Sequence, residues 1–132
     1  MATRLSRFVV LCAFLLASAS AYAHHSLAGV YALGKEAKVQ GAFKAFRLVN
    51  PHSVMKIDVK NTDGGITEWT FIGGSVQQIA RLGLKDGANA LKPGDEITVT
   101  IVPAIDGKSP VGLLSAITYA DGHTVRFRSP DE

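Results

Sequence analysis

Two adjacent histidines, His24 and His25, directly follow Ala21-Tyr22-Ala23, a small-x-small triplet of the kind at which a secretory leader is cut. Cleavage after Ala23 leaves His24 with a free α-amine. That amine and the ring Nδ1 close a six-membered chelate on a metal ion, which no internal histidine can do. A further imidazole completes a nitrogen-rich tetragonal set, which favours Cu(II) by geometry and by the Irving–Williams order. The candidate metal ligands are therefore His24, His25 and His52, and the candidate cofactor is copper. His25 joins only where the chain bends, because neighbouring side chains diverge on an extended backbone. His52 follows Asn50-Pro51 at a strand junction, where a barrel mouth would lie; its competing role is a turn cap bound to backbone. His123, beside Asp121-Gly122, suits a turn better than a ligand set. A cut after Ala21 also obeys the small-x-small rule through Ala19-Ser20-Ala21. It would start the chain Tyr22-Ala23-His24 and offer Cu(II) or Ni(II) an amine, two backbone amides and an imidazole in one plane. Against both stands the simpler reading of solvated histidines at a mobile terminus.

The leader itself has three parts. Arg4 and Arg7 give a positive start, Phe8 to Ala17 an apolar run, and Ala21-Tyr22-Ala23 the cut. The run is shorter than the ~20 residues a membrane helix needs, and no second long apolar run follows. The expected product is soluble, without a membrane span, and periplasmic or secreted from a bacterium. Removing residues 1–23 from 132 leaves 109, enough for one small domain. Its organisation reads as a leader over 1–23, an extended N-terminal arm over 24–37 and a barrel domain over 38–132.

The formal charge of +3 shrinks with the leader, since losing Arg4 and Arg7 from 14 basic side chains leaves 12 against 11 acidic ones. A near-neutral domain lacks the electrostatic footprint of a nucleic-acid binder. The single cysteine, Cys12, lies in the leader. Val9-Val10-Leu11 ahead of it lacks the small residue of a lipoprotein site, so no lipid anchor is expected. The mature chain then has no thiolate site, iron–sulfur cluster, disulfide or cysteine nucleophile.

The elements that must position these histidines are mostly strands. Val39, Gly41, Phe43 and Ala45 alternate with more polar residues; Met55, Ile57 and Val59 alternate with Lys56, Asp58 and Lys60. Asn61-Thr62-Asp63-Gly64-Gly65 is a turn, and Thr67, Trp69 and Phe71 continue a meander. Ser75 and Gln78 have the spacing of a reciprocal capping box ahead of a short helix carrying Val76, Ile79 and Ala80, which Gly83 ends. Ile97, Val99 and Ile101 form a fourth strand. Leu114 to Tyr119 and Thr124 to Phe127 form a hairpin across Asp121-Gly122. Three strands, a helix and further strands predict a mainly β protein, a small OB-like Greek-key barrel. A generic antiparallel sandwich with one helix is the competing architecture.

Taken in order, His24-His25-Ser26, Asn50-Pro51-His52, the Trp69 strand, Gly74-Ser75 and Leu91-Lys92-Pro93-Gly94-Asp95 resemble the small exported bacterial proteins grouped as domain of unknown function 6152. The resemblance covers nearly the whole mature chain and implies the fold and export rather than an activity. This chain departs from that pattern at Leu48 and Leu84, where aromatics are usual, and at Ile72, where an acidic residue is usual.

Catalysis is not expected. There is no nucleophile elbow, P-loop, HExxH or dinucleotide fingerprint, and a helix cap accounts for Ser75. Asp58 and Glu68 face each other across the first hairpin as a carboxylate pair or, more simply, as alternating surface charge. Met55 and Trp69 would supply a thioether–indole copper site, but a mature chain with one methionine is short of sulfur, and both residues fall in phase with core positions. The leading expectation is an exported, non-catalytic protein that binds Cu(II) or another divalent metal at its N-terminus. The alternative is a metal-free periplasmic OB-type module. It would use Phe43, Lys44, Phe46 and Arg47 as an aromatic-basic face for a protein or envelope polymer, although some of these aromatics belong to the core.

Overall fold

Alternating apolar and polar residues build six strands and one helix in the computed structural model, which describes residues 27–127. They run β1 (Ala37–Arg47), β2 (Val54–Lys60), β3 (Ile66–Ile72), α1 (Val76–Arg81), β4 (Glu96–Pro103), β5 (Val111–Tyr119) and β6 (Thr124–Arg126). The leader and the candidate ligands His24 and His25 lie outside the described residues. Strand order is β3-β2-β1-β4-β5-β6, and a parallel pairing of β3 with β5 closes the first five into a barrel. Closure runs through Thr70↔Val111, Phe71↔Gly112 and Ile72↔Leu113. One sheet closed on itself is the OB-like barrel and not the two-sheet sandwich.

β1 makes the barrel bend. Its residues 37–42 pair with β4 and its residues 42–47 with β2. At the changeover a Cβ on Gly41 would lie 2.6 Å from the Asp58 carbonyl oxygen, so only glycine allows the two backbones to approach this closely. The register slips between Phe43 and Ala45, which places Phe43 and Phe46 against the same core with ring centroids 5.3 Å apart. Phe43 is buried. The expected aromatic-basic face is thus not presented, because the bulge reverses the alternation.

Met55, Ile57, Phe71, Ile79, Ile101 and Ile117 form the centre of the core, all fully buried. Met55 is therefore a packing residue. Trp69 is half-buried and leans on Phe71 at 6.0 Å. α1 is short and plugs one end through Ile79. Ser75 Oγ accepts the Gln78 backbone N–H at 3.2 Å, as a cap should. The reciprocal half of the capping box is replaced: the Gln78 side-chain amide donates to the Phe127 carbonyl at 2.8 Å. A partner 49 residues away outcompetes the local one because it also ties the helix to the end of β6.

Residues 27–35 turn where an extended arm is expected. The Tyr31 N–H donates to the Leu27 carbonyl at 2.8 Å, and Ala32 N–H and Ile105 N–H join Pro103 and Val30 carbonyls at 2.9 Å. Tyr31 is buried beside Val102 and Leu113.

At the opposite end, Tyr119 Oη donates to the Asn89 carbonyl at 2.6 Å. Burial chiefly, with Asp95 and Asp121 adding, pushes the Tyr119 phenol up to about 12, so it stays a donor at all working pH values. Tyr119→Phe strands that carbonyl and should destabilise the fold by about 1 kcal/mol, measured as a lower urea midpoint with unchanged slope.

Candidate functional site

The site is built from the loop between β1 and β2. Its backbone bonds are made by the neighbours of His52 and not by the imidazole. Ser53 is fully buried, donates through Oγ to the Val49 carbonyl at 3.2 Å, and exchanges two 2.8 Å backbone bonds with Gly73 and Gly74. Asn50 Oδ1 accepts the Val76 N–H at 3.1 Å, at the start of α1. The Asn50–Pro51 peptide is cis. Two anchored neighbours leave the His52 side chain exposed between them, so the turn-cap role does not describe it.

His52 stands at a cavity of about 260 Å³, whose walls include Leu27, Ile72, Leu114, Gln78 and Phe127. Gly73 and Gly74 also line it. A Cβ on Gly74 would fall 1.8 Å from Gln78 Oε1, so glycine here gives the Gln78 side chain room to reach Phe127. Leu27 is the first described residue, three positions after His24. The fold therefore brings the start of the arm and His52 to one cavity. Ile72 makes that wall apolar. The cavity has no signal in the sequence, because nothing local joins Leu27, Gln78 and Phe127.

Among the described residues no three His, Cys, Asp or Glu side chains are grouped to hold an ion. His52 stands without a second such side chain among the described residues that line its cavity, and His24 and His25 lie outside the described ones. His123 is unsuited to holding an ion. Its Nδ1 meets Asp121 Oδ1 at 2.6 Å, its Nε2 meets Asn89 Oδ1 at 3.2 Å, and its ring stacks on Tyr119 at 4.1 Å. It is a turn residue.

The Asp58–Glu68 pair faces across β2 and β3 in register, with Lys44 Nζ bridging it at 3.4 and 2.7 Å and Lys56 also paired to Glu68. Hydrogen bonds from Lys44 first and Lys56 second hold the Glu68 carboxyl down at about 2. A depressed carboxylate contributes stability above its ordinary pKa and loses it as pH falls toward its folded value. The difference in melting temperature between wild type and Glu68→Gln should therefore shrink as pH falls from 4.5 to about 2, more visibly at low salt because the pair is exposed. These carboxylates are surface ladder groups and carry no site.

Among the described residues no helix is long and apolar enough to cross a membrane. A family model described as a family of unknown function, DUF6152, matches residues 13–113. No curated protein and no solved structure matches the chain.

Proposed function

This chain belongs to the DUF6152 family, and we propose that it is an exported, non-catalytic protein that binds a divalent metal ion, Cu(II) foremost, through its mature N-terminus. The observation that carries this reading is the cavity shared by Leu27 and His52. Three residues separate His24 from Leu27, a chain length of at most about 10 Å at ~3.3–3.6 Å each, and that is the span the reading asks the N-terminus to cross to the His52 ring. Amine, His24 Nδ1 and His52 supply three nitrogens, and His25 a fourth where the chain bends. Such a set suits Cu(II). The residues that define the leader support export, and the family match begins at residue 13, inside the apolar run.

The test is a competitive Cu(II) titration of the chain beginning at His24, alongside His24→Ala and His52→Ala. One ion per chain is expected, with His52→Ala weakening binding about tenfold or more. Because the α-amine must shed its proton to bind, affinity should rise with pH up to about 8. Binding that ignores both substitutions overturns the reading and leaves the cavity to a metal-free partner.

A further inference from the structure

We propose that the cavity beside His52 is a binding site for a medium-chain fatty acid, with the alkyl chain inside and the carboxylate at the imidazole. The site is built within residues 27–127 and is independent of the metal reading. Its walls come from two separate apolar clusters. Leu114 and Phe127 belong to the main core, whereas Leu113 belongs to the outer cluster with Tyr31 and Val102, against which Ile72 packs. Leu113 and Leu114 are neighbours on β5 and point to opposite faces of the sheet, yet both line the cavity. The cavity therefore lies at the rim of the barrel, in the gap where the two clusters do not meet. Gly73 keeps a side chain off the Leu114 wall of that gap, since a Cβ there would lie 3.2 Å from Leu114 Cδ2.

Size and chemistry select the ligand. Apolar cavities of about 150 Å³ accept benzene, and drug-sized ligands occupy about 300–1,000 Å³. A volume of about 260 Å³ lies between them and suits a chain of about eight carbons. The walls are largely aliphatic, so an alkyl chain that enters removes apolar surface from water on both sides. None of the lining residues is Asp, Glu, Lys or Arg, and His52 is the one ionisable side chain among them. A carboxylate at the mouth thus meets a ring N–H and no opposing negative charge, whereas an ammonium would meet no counter-ion. His52 is exposed, so the carboxylate keeps most of its water and its desolvation costs little. Gln78, the other polar side chain of the wall, is already committed through its amide to the Phe127 carbonyl.

The experiment titrates the exported chain with octanoate in the presence of EDTA, read by calorimetry and by NMR shifts of the backbone amides. EDTA removes any metal, so failure here leaves the metal reading untouched. The expected result is one octanoate per chain with a Kd below about 1 mM, and shifts centred on Gly73, Gly74, Leu113 and Leu114. Hexanoate should bind about fifteenfold more weakly, at roughly fourfold for each methylene withdrawn from water. His52→Ala should weaken octanoate about fivefold while leaving octanol within about twofold. Ile72→Trp should fill the gap and abolish binding of both, with the melting temperature showing that the barrel still folds. His52 is exposed, so His52→Ala keeps the test decisive even where Ile72→Trp fails to fold. No shift at the cavity residues in millimolar octanoate overturns the site, as does binding that survives Ile72→Trp in a folded chain. Tighter binding of 3-phenylpropionate than of octanoate, or equal loss of octanoate and octanol in His52→Ala, overturns the fatty-acid assignment.

Discussion

A chain that keeps Ser20-Ala21-Tyr22-Ala23 ahead of His24 should bind Cu(II) about 100-fold or more weakly than the chain that begins at His24. In the short chain the amine and the His24 ring grip the ion together, so the second bond forms within an already bound ligand. Converting the amine to a peptide nitrogen removes that intramolecular step, and such effects span roughly 10²–10⁴ in affinity. A 100-fold loss corresponds to about 3 kcal/mol. Four residues are needed for a clean comparison. A chain starting Tyr22-Ala23-His24 carries histidine third and makes a separate planar site from its own amine and amides. That chain should still bind Cu(II), but His52→Ala should no longer matter to it. Titrating the three chains side by side reads both effects. Equal affinity of the His24-started and Ser20-started chains would show that the amine takes no part.

The second large effect concerns the barrel that carries His52. Phe71→Ala should cost about 3–5 kcal/mol, a large share of the 5–15 kcal/mol by which domains are ordinarily stable. Phe71 is fully buried and lies at the closure of the sheet, opposite Met55 of β2 and Gly112 of β5. Removing its ring deprives the contact between β3 and β5 of its main filling, and Ile72-Gly73-Gly74, which line the His52 cavity, follow immediately along the chain. Urea unfolding should show a sharply lower midpoint. A loss below about 1 kcal/mol would mean that the barrel is not held at this closure.

Much of this fold is legible in the residues, and the reason differs by element. β2 and β3 declare themselves through alternating apolar and polar side chains, so Met55-Ile57 and Trp69-Phe71 keep period two. Ser75 marks the helix start because capping is local. The closure of β3 onto β5 has no local signal, since it joins Phe71 to Gly112 across the helix and a whole strand. Phe43 and Phe46 mislead for a physical reason: a one-residue slip at Lys44 brings residues of opposite parity onto the same core. Tyr31 is hidden in a stretch without period, because it inserts beside Val102 and Leu113 as a lone anchor. At the site, the histidines and the Asn50-Pro51-His52 run were legible. The nearness of Leu27 to His52 was not, because it depends on how the arm folds back onto β4.

The most direct test is Cu(II) titration of the exported chain once its intact mass has identified its first residue, set beside a synthetic peptide of residues 24–30. The barrel matters to the site only if it contributes His52. A mass beginning at His24, with one Cu(II) held at least about tenfold more tightly than by the peptide, is the predicted result. A correctly processed chain that binds Cu(II) no better than the peptide would contradict the account.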